Sequence, residues 1–329
     1  MKSKAYRTGI WPRALLIAAV ALCGPVAAQA QTSTSSTSTA PATDVQTVEP
    51  APATVDQSAA IDVGVGSGPT NIASDSAGNL WVTLQFTGKV VKLGVTGAVL
   101  GTYNAGRNPT GIAAGNYVWV ANNGDDTLTK LALNGTVAGT YKSGGAGPQA
   151  VLLVGPAVWV ANERSNTVTK LTADGVLVGS YAVGTRPSAL AADNAGNIWV
   201  ANNKANTVTK LSPDGKLIGT YKVGQGPFGL VAAGADVFVS CFFDKSVVKL
   251  SGTTGAALLT VPVGDGPAGL TKYGSYYVVA NNGSNNVTVF AEDGTVYSTI
   301  AVGRSPLYVV ANANGYWIPN TGSDTVSKR

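Results

Sequence analysis

The sequence predicts an all-β fold, a seven-bladed β-propeller with four-stranded blades. A proline that follows a glycine-containing turn recurs seven times, at intervals of 39 or 40 residues. A period near forty with strand-like content is typical of propeller blades, and no helical periodicity interrupts it. The seven prolines are Pro69, Pro109, Pro148, Pro187, Pro227, Pro267 and Pro306.

The N-terminus predicts export. Residues 1–30 begin with four basic side chains, continue with an apolar stretch from Ala14 to Leu22, and end in Ala28-Gln29-Ala30, which is the pattern of a secretory signal peptide. No run in the chain approaches the roughly 18 apolar residues that a membrane span requires. We therefore expect no transmembrane segment and a periplasmic, secreted or cell-surface location. A lipoprotein alternative would acylate Cys23, but that processing prefers a small residue before the cysteine.

Residues 31–57 are rich in Ser, Thr, Ala and Pro and contain no aromatic residue. Such a composition buries too little apolar surface to offset the entropy of ordering, so we predict a flexible tether ahead of a propeller at residues 58–329.

The charge balance argues against a polyanionic partner. The formal net charge is +5, but 22 basic residues less the four of the signal peptide leave 18 against 17 acidic residues, or +1. A general polyanion-binding field is not supported, so we expect no nucleic-acid partner. Without Cys23, Cys241 is the only cysteine, so no intramolecular disulfide can form.

Each repeat contains four short strands. In the unit that begins at Pro187 these are SALAAD, IWVAN, TVTKL and KLIGTYKVG. Asp214-Gly215 precedes the fourth strand and predicts a two-residue hairpin turn, because this dipeptide tolerates positive φ. The same kind of turn is expected at Asn134-Gly135, Asp174-Gly175 and Asp293-Gly294.

The two ends of the repeat region predict how the ring closes. The last unit starts at Pro306 and stops after its third strand, while a strand-like segment precedes Pro69. We predict that the strand around Ile61 to Val65 pairs with Thr325 to Arg329 and completes the last blade, which removes two open sheet edges.

One large side chain recurs in the second strand of nearly every unit. We expect it to fill the wedge between neighbouring sheets rather than to form a carbohydrate-stacking ladder. The position holds Trp81, Trp119, Trp159, Trp199, Phe238, Val278 and Trp317. Small residues two places after the prolines, with Tyr308 as the exception, are expected to let the inner strands crowd around the axis.

The motif WVANN-x₂-NTVTKL, followed by DG and then G-T-Y-x-V-G-x-G-P, resembles the YVTN and NHL families of β-propeller repeats. The stretches AGNLWV and AGNIWV also resemble streptogramin lyase-type propellers. The resemblance covers about residues 61–329 and implies the propeller fold. These families include surface-layer, periplasmic and scaffolding proteins and a few enzymes, so the resemblance leaves the function open.

The chain contains no histidine. The resemblance to streptogramin lyases implies a histidine base beside a metal-linked acidic site, which this sequence cannot supply. The absence also removes the side chain best suited to proton transfer at neutral pH and the commonest nitrogen ligand of zinc. The loop acids are spread over several units rather than gathered in one, so we expect no catalytic residue, no metal and no cofactor. These acids are Asp125, Asp126, Asp244, Asp265 and Asp324.

The leading hypothesis is a non-catalytic binding or scaffold protein, expected to be monomeric, that presents one face to a protein, glycan or small molecule. One alternative is a streptogramin lyase-like or lactonase-like enzyme with a histidine-free site. Another is a structural cell-surface protein that associates with itself.

The fifth unit supplies the candidate site, because it reads FVSCFFDKS where other units have WVANN or WVANE. Exposed aromatic clusters are typical anchors for binding. The opposing interpretation is that these rings plug the channel mouth and cover Cys241. The predicted partner-binding residues are Phe228, Phe242, Phe243, Phe86, Arg186, Lys204 and Gln225.

Overall fold

The computed structural model describes residues 60–329. The predicted signal peptide and the predicted tether lie outside these residues. The described part of the chain contains 28 β-strands and no helix that could cross a membrane.

The strands form seven antiparallel sheets of four, which we call blades 1 to 7, as the repeat predicts. In blades 1 to 6 the four strands are consecutive in the chain. Blades 1 to 3 comprise β2 (Pro69–Ser74), β3 (Leu80–Leu84), β4 (Lys89–Leu93), β5 (Val99–Asn104); β6 (Pro109–Ala114), β7 (Val118–Asn122), β8 (Thr127–Leu131), β9 (Val137–Lys142); and β10 (Pro148–Val154), β11 (Ala157–Asn162), β12 (Thr167–Thr172), β13 (Leu177–Ala182).

Blades 4 to 6 follow the same plan. They comprise β14 (Pro187–Ala192), β15 (Ile198–Asn202), β16 (Thr207–Leu211), β17 (Leu217–Lys222); β18 (Pro227–Ala233), β19 (Asp236–Cys241), β20 (Ser246–Leu250), β21 (Ala257–Pro262); and β22 (Pro267–Tyr273), β23 (Tyr276–Asn281), β24 (Asn286–Ala291), β25 (Val296–Ala301). The first strands of neighbouring blades contact one another and surround the axis.

Blade 7 joins the two ends of the propeller. Its sheet contains β26 (Val310–Asn312), β27 (Gly315–Asn320), β28 (Thr325–Lys328) and the N-terminal β1 (Ile61–Asp62). Ile61 pairs with Val326 and Asp62 with Thr325, which confirms the predicted closure. The pairing is shorter than predicted because Gly64 and Gly66 adopt positive φ and turn the chain away after Val63.

The recurrent second-strand side chains lie between blades, as predicted. Trp199 of blade 4 packs in one buried cluster with Leu230 and Val239 of blade 5. On the same ring, the Lys210 ammonium lies 4.7 Å from the Trp199 ring centre and donates a hydrogen bond to the Gly252 carbonyl of blade 5 at 2.7 Å. The contact between blades 4 and 5 thus combines apolar burial with a cation–π contact and a hydrogen bond.

The turns before the fourth strands differ from the prediction. Gly135 donates to the Ala132 carbonyl and Ala132 donates to the Thr136 carbonyl, so the loop has three residues, and only Gly135 has positive φ. A two-residue type I′ turn would need positive φ at both central residues. The glycine also admits a neighbour: a Cβ on Gly215 would lie 2.0 Å from the Tyr181 ring of the preceding blade.

A second device joins the loops of neighbouring blades. In five blades, the residue just before the third strand (β8, β12, β16, β24 or β28) accepts a hydrogen bond through its side-chain oxygen. The donor is the backbone amide of the residue that precedes the next blade's proline. We call this contact the seam latch. The pairs are Asp126 with Gly147, Asn166 with Arg186, Asn206 with Gly226, Asn285 with Ser305, and Asp324 with Gly68, at 2.7 to 2.9 Å.

Candidate functional site

The loops before the prolines and the loops after the second strands share one face, which we call the upper face. In blade 2, for example, the Asn123 amide donates to the Asn108 carbonyl at 3.0 Å. The same pattern places Phe242 beside Gly226 and Phe243 beside Gln225 in blade 5. Phe242 and Phe243 therefore lie on the upper face.

Phe228, Phe242 and Phe243 form one aromatic cluster, which we call the phenylalanine cluster. The ring centres of Phe242 and Phe243 are 5.2 Å apart in an edge-to-face arrangement, and those of Phe228 and Phe242 are 6.1 Å apart. Phe228 also lies 5.8 Å from Tyr308 of blade 7. These distances are typical of favourable aromatic pairs.

Burial changes steeply along the cluster. Phe228 is 2% exposed, Phe242 is partly buried and Phe243 is 63% exposed. Phe228 meets Tyr308 across blade 6, where Ala268 and Gly269 leave room because they are small. Phe228 and Tyr308 therefore bury one another between the inner strands, whereas Phe243 leaves a large apolar surface in solvent.

Phe242 replaces a polar residue that other blades use to join their neighbours. At the same loop position the Asn203, Asn282 and Thr321 side chains donate hydrogen bonds to the carbonyl of the next blade's proline, at 3.2, 3.2 and 2.7 Å. A phenyl ring cannot donate such a bond. Blade 5 thus exchanges a polar contact between blades for an apolar surface at the channel mouth.

The other predicted site residues are distributed over the face. Phe86 stands at the position in blade 1 that Phe243 holds in blade 5 and is 66% exposed. No ring contact among residues 60–329 joins Phe86 to the phenylalanine cluster. Lys204 is exposed in the adjoining loop of blade 4, and Gln225 contributes its main chain, because its carbonyl accepts the Phe243 amide.

Arg186 belongs to a polar group on the side of blades 3 and 4. Its guanidinium lies 3.4 Å from the Glu163 carboxylate, and that carboxylate side chain is only 19% exposed. Burial raises the pKa of Tyr308 far above its ordinary value, and the negative charge of Glu163 raises it further. The Tyr308 hydroxyl is thus neutral at any physiological pH and has no hydrogen-bond partner among the described residues.

Cys241 is fully buried beneath the upper-face loop, beside Gly224. Burial raises the pKa of this thiol to about 12, and the nearby Asp244 carboxylate adds to the shift. The thiolate is the reactive form of cysteine, so Cys241 is inert at neutral pH.

The loop acids do not converge. Within residues 60–329 no three residues among His, Cys, Asp and Glu are grouped so that they could hold a metal ion. Asp126 and Asp324 instead serve as seam latches, and Asp244 accepts the Gln225 amide at 2.6 Å. Sequence reasoning named these acids but missed this role, which the recurrence of Asn or Asp at one loop position could have indicated.

The fold and this face define a closed seven-bladed β-propeller with aromatic residues at the mouth of its central channel. A sequence profile of the Virginiamycin B lyase family matches residues 57–245, more than half of the chain, and the chain belongs to that family.

Solved structures share the fold at low sequence identity. A streptogramin B lyase structure superposes with a TM-score of 0.71 at 18% identity, covering 82% of this chain and 96% of that one. A catalytically inactive histidine-to-alanine variant of virginiamycin B lyase from Staphylococcus aureus, with quinupristin, gives 0.72 at 15% identity and covers 82% and 97%. Hydrazine synthase of Kuenenia stuttgartiensis gives 0.73 at 15% identity and covers 80% and 96%. No curated protein sequence matches the chain.

Proposed function

We propose that this chain is an exported, non-catalytic binding propeller that holds a protein, glycan or small-molecule partner on its upper face. The observation that carries the proposal is the gradient of exposure along the phenylalanine cluster, from Phe228 in the channel to Phe243 in solvent. A rigid buried base below an exposed ring is the arrangement that binding hot spots favour, because the ring is held in place before the partner arrives.

The absence of histidine supports the non-catalytic part of the proposal. One solved relative is catalytically inactive when a histidine is replaced by alanine. In this chain the Tyr308 hydroxyl, held neutral by burial, is a poor proton acceptor, and Cys241 is buried and protonated.

Single substitutions of exposed apolar side chains test the proposal without disturbing the core. Phe243→Ser should abolish capture of partners from the native envelope fraction or culture medium by the immobilised mature protein. Leu217→Ser is the matched control, since it removes an apolar side chain that is equally exposed, at 63%, from the outer strand of blade 4. Partners that persist with Phe243→Ser would contradict the assignment of this cluster.

A second candidate function, a lyase-like enzyme, is favoured by the family membership. Incubation of the mature protein with quinupristin, followed by chromatography and mass spectrometry, separates the two candidates. The binding proposal expects quinupristin to remain intact with and without divalent cations. Cation-dependent opening of the ring would favour the enzyme instead.

A further inference from the structure

A cavity of about 580 Å³ lies between the outer parts of blades 4 and 5. We call it the seam cavity. The end of β17 and the β19–β20 loop form two of its sides, and β21 forms another. Its volume falls within the range of sites that hold small molecules. It lies on the outer side of the loop whose inner side carries the phenylalanine cluster.

The cavity lies where blade 5 departs from the repeat. In five blades an asparagine at the end of the second strand donates its side-chain amide to polar residues of the third strand, as Asn202 does to Thr207 and Thr209 at 3.1 and 2.9 Å. Blade 5 has Cys241, Ser246 and Val248 at these positions. The polar triad is therefore replaced by smaller or apolar side chains, and Ser246 and Val248 line the cavity.

Lys245, which also lines the cavity, has a backbone conformation that lysine rarely adopts. Its φ is 53°, at the position where other blades place Asp, Asn or Gly. Positive φ is costly for a long side chain, and such strain is concentrated at functional sites. The Lys245 side chain also cannot accept the hydrogen bond of the seam latch. Its ammonium instead lies 2.8 Å from the Asp265 carboxylate. Blade 5 thus gives up a latch at Lys245, and the Lys245 ammonium pairs with Asp265, which does not line the cavity.

The charged groups of the cavity favour an anion. The Lys222 ammonium has no hydrogen-bond or ion-pair partner among residues 60–329. The Lys245–Asp265 pair is more than half exposed, so solvent weakens it and a ligand can compete for the lysine. Asp244 also lines the cavity, but its carboxylate is held by the Gln225 amide at 2.6 Å. The apolar wall consists of Val223, Val248, Ala257 and Pro262.

We propose that the seam cavity binds small anionic amphiphiles, with a carboxylate between Lys222 and Lys245 and an apolar tail against Val248 and Pro262. The site is separate from the upper-face partner site and does not depend on it.

Calorimetric titration of the mature protein with octanoate tests the proposal, with octylammonium as the probe of opposite charge. Octanoate should bind and octylammonium should not. Lys222→Gln should weaken octanoate binding about fivefold, the upper end for an exposed ion pair. Lys142→Gln is the matched control, because Lys142 ends the outer strand of blade 2 as Lys222 ends that of blade 4.

Two variants that introduce residues found at the same positions of other blades distinguish a loss of octanoate binding from a loss of stability. Val248→Thr introduces the residue of blades 2, 3, 4 and 6, and Lys245→Asn restores the acceptor of the seam latch. Both should weaken octanoate binding, while Lys245→Asn should also raise the Tm because it relieves strain. Unchanged octanoate affinity in both variants, equal binding of the two probes, or no octanoate binding at millimolar concentration would overturn the proposal.

Discussion

The Asp324 carboxylate accepts a hydrogen bond from the Gly68 amide at 2.9 Å, across 256 residues of chain. Its other oxygen accepts the Gly66 amide at 2.8 Å. The contact lies where blade 7 meets blade 1, so it fastens the seam at which the two ends of the propeller come together. An acidic side chain that resembles a stray metal ligand in the sequence is therefore part of the ring closure.

Asp324→Ala should lower the free energy of unfolding by about 1 to 2 kcal/mol, because two amides lose a charged acceptor. Asp324→Asn should cost less, since an asparagine oxygen can still bind the Gly68 amide as Asn206 binds Gly226. Chemical denaturation of the three proteins measures the difference. Equal stability of the alanine variant and the wild type would show that the latch contributes nothing.

Deletion of residues 61–66 should lower the Tm by several degrees, because blade 7 would lose its outer strand and Val63 would leave the core. Deletion of residues 51–56 removes the same length of chain from the predicted tether and serves as the control. A Tm that is the same for both deletions would contradict closure by β1.

Phe228→Ala should cost about 3 to 5 kcal/mol, as expected for a large ring removed from a packed core. Phe243→Ser should change the free energy of unfolding by no more than about 0.5 kcal/mol, because the ring is exposed. Thermal and denaturant unfolding of both variants check this. A large loss in Phe243→Ser would mean that the whole cluster is structural.

Asp193→Asn should destabilise the protein at pH 7 and much less in acid. Burial tends to raise the pKa of Asp193, but hydrogen bonds from Asn197, Lys210 and Trp199 outweigh it and lower the pKa below 3.8. A carboxyl whose pKa is lowered in the folded state stabilises the fold at any pH above its ordinary, unfolded-state pKa. This stabilisation is lost as the pH falls through the folded-state pKa. Denaturation at pH 7 and below pH 4 should therefore show a narrowing difference from the wild type.

Cys241 should resist thiol reagents in the folded protein, because its pKa is about 12 and the side chain is buried. At pH 8 a disulfide reagent should label it only as fast as the protein unfolds. In denaturant, an excess of the reagent should label Cys241 completely within the mixing time. Rapid labelling of the native protein would show that the upper-face loop opens.

The architecture follows from the sequence alone. The period of the prolines predicted the number of blades. Because the last unit stops after its third strand, the sequence also predicted that the N-terminal strand closes the ring. The aromatic residues of the second strands predicted which side chains lie between the sheets. These features follow from patterns within about forty residues, which local propensity and strand alternation control. The family resemblance rested on the same residues.

Which of these residues are available for function depends instead on contacts that form in the folded chain. Phe228, Phe242 and Phe243 are chemically identical. Phe228 is nevertheless buried and Phe243 is exposed, because neighbouring blades and Tyr308 bury them unequally. The role of Asp324 depends on an amide at the other end of the propeller, and the seam cavity depends on strands of two blades. Such properties arise from contacts between distant segments, which a local pattern cannot specify.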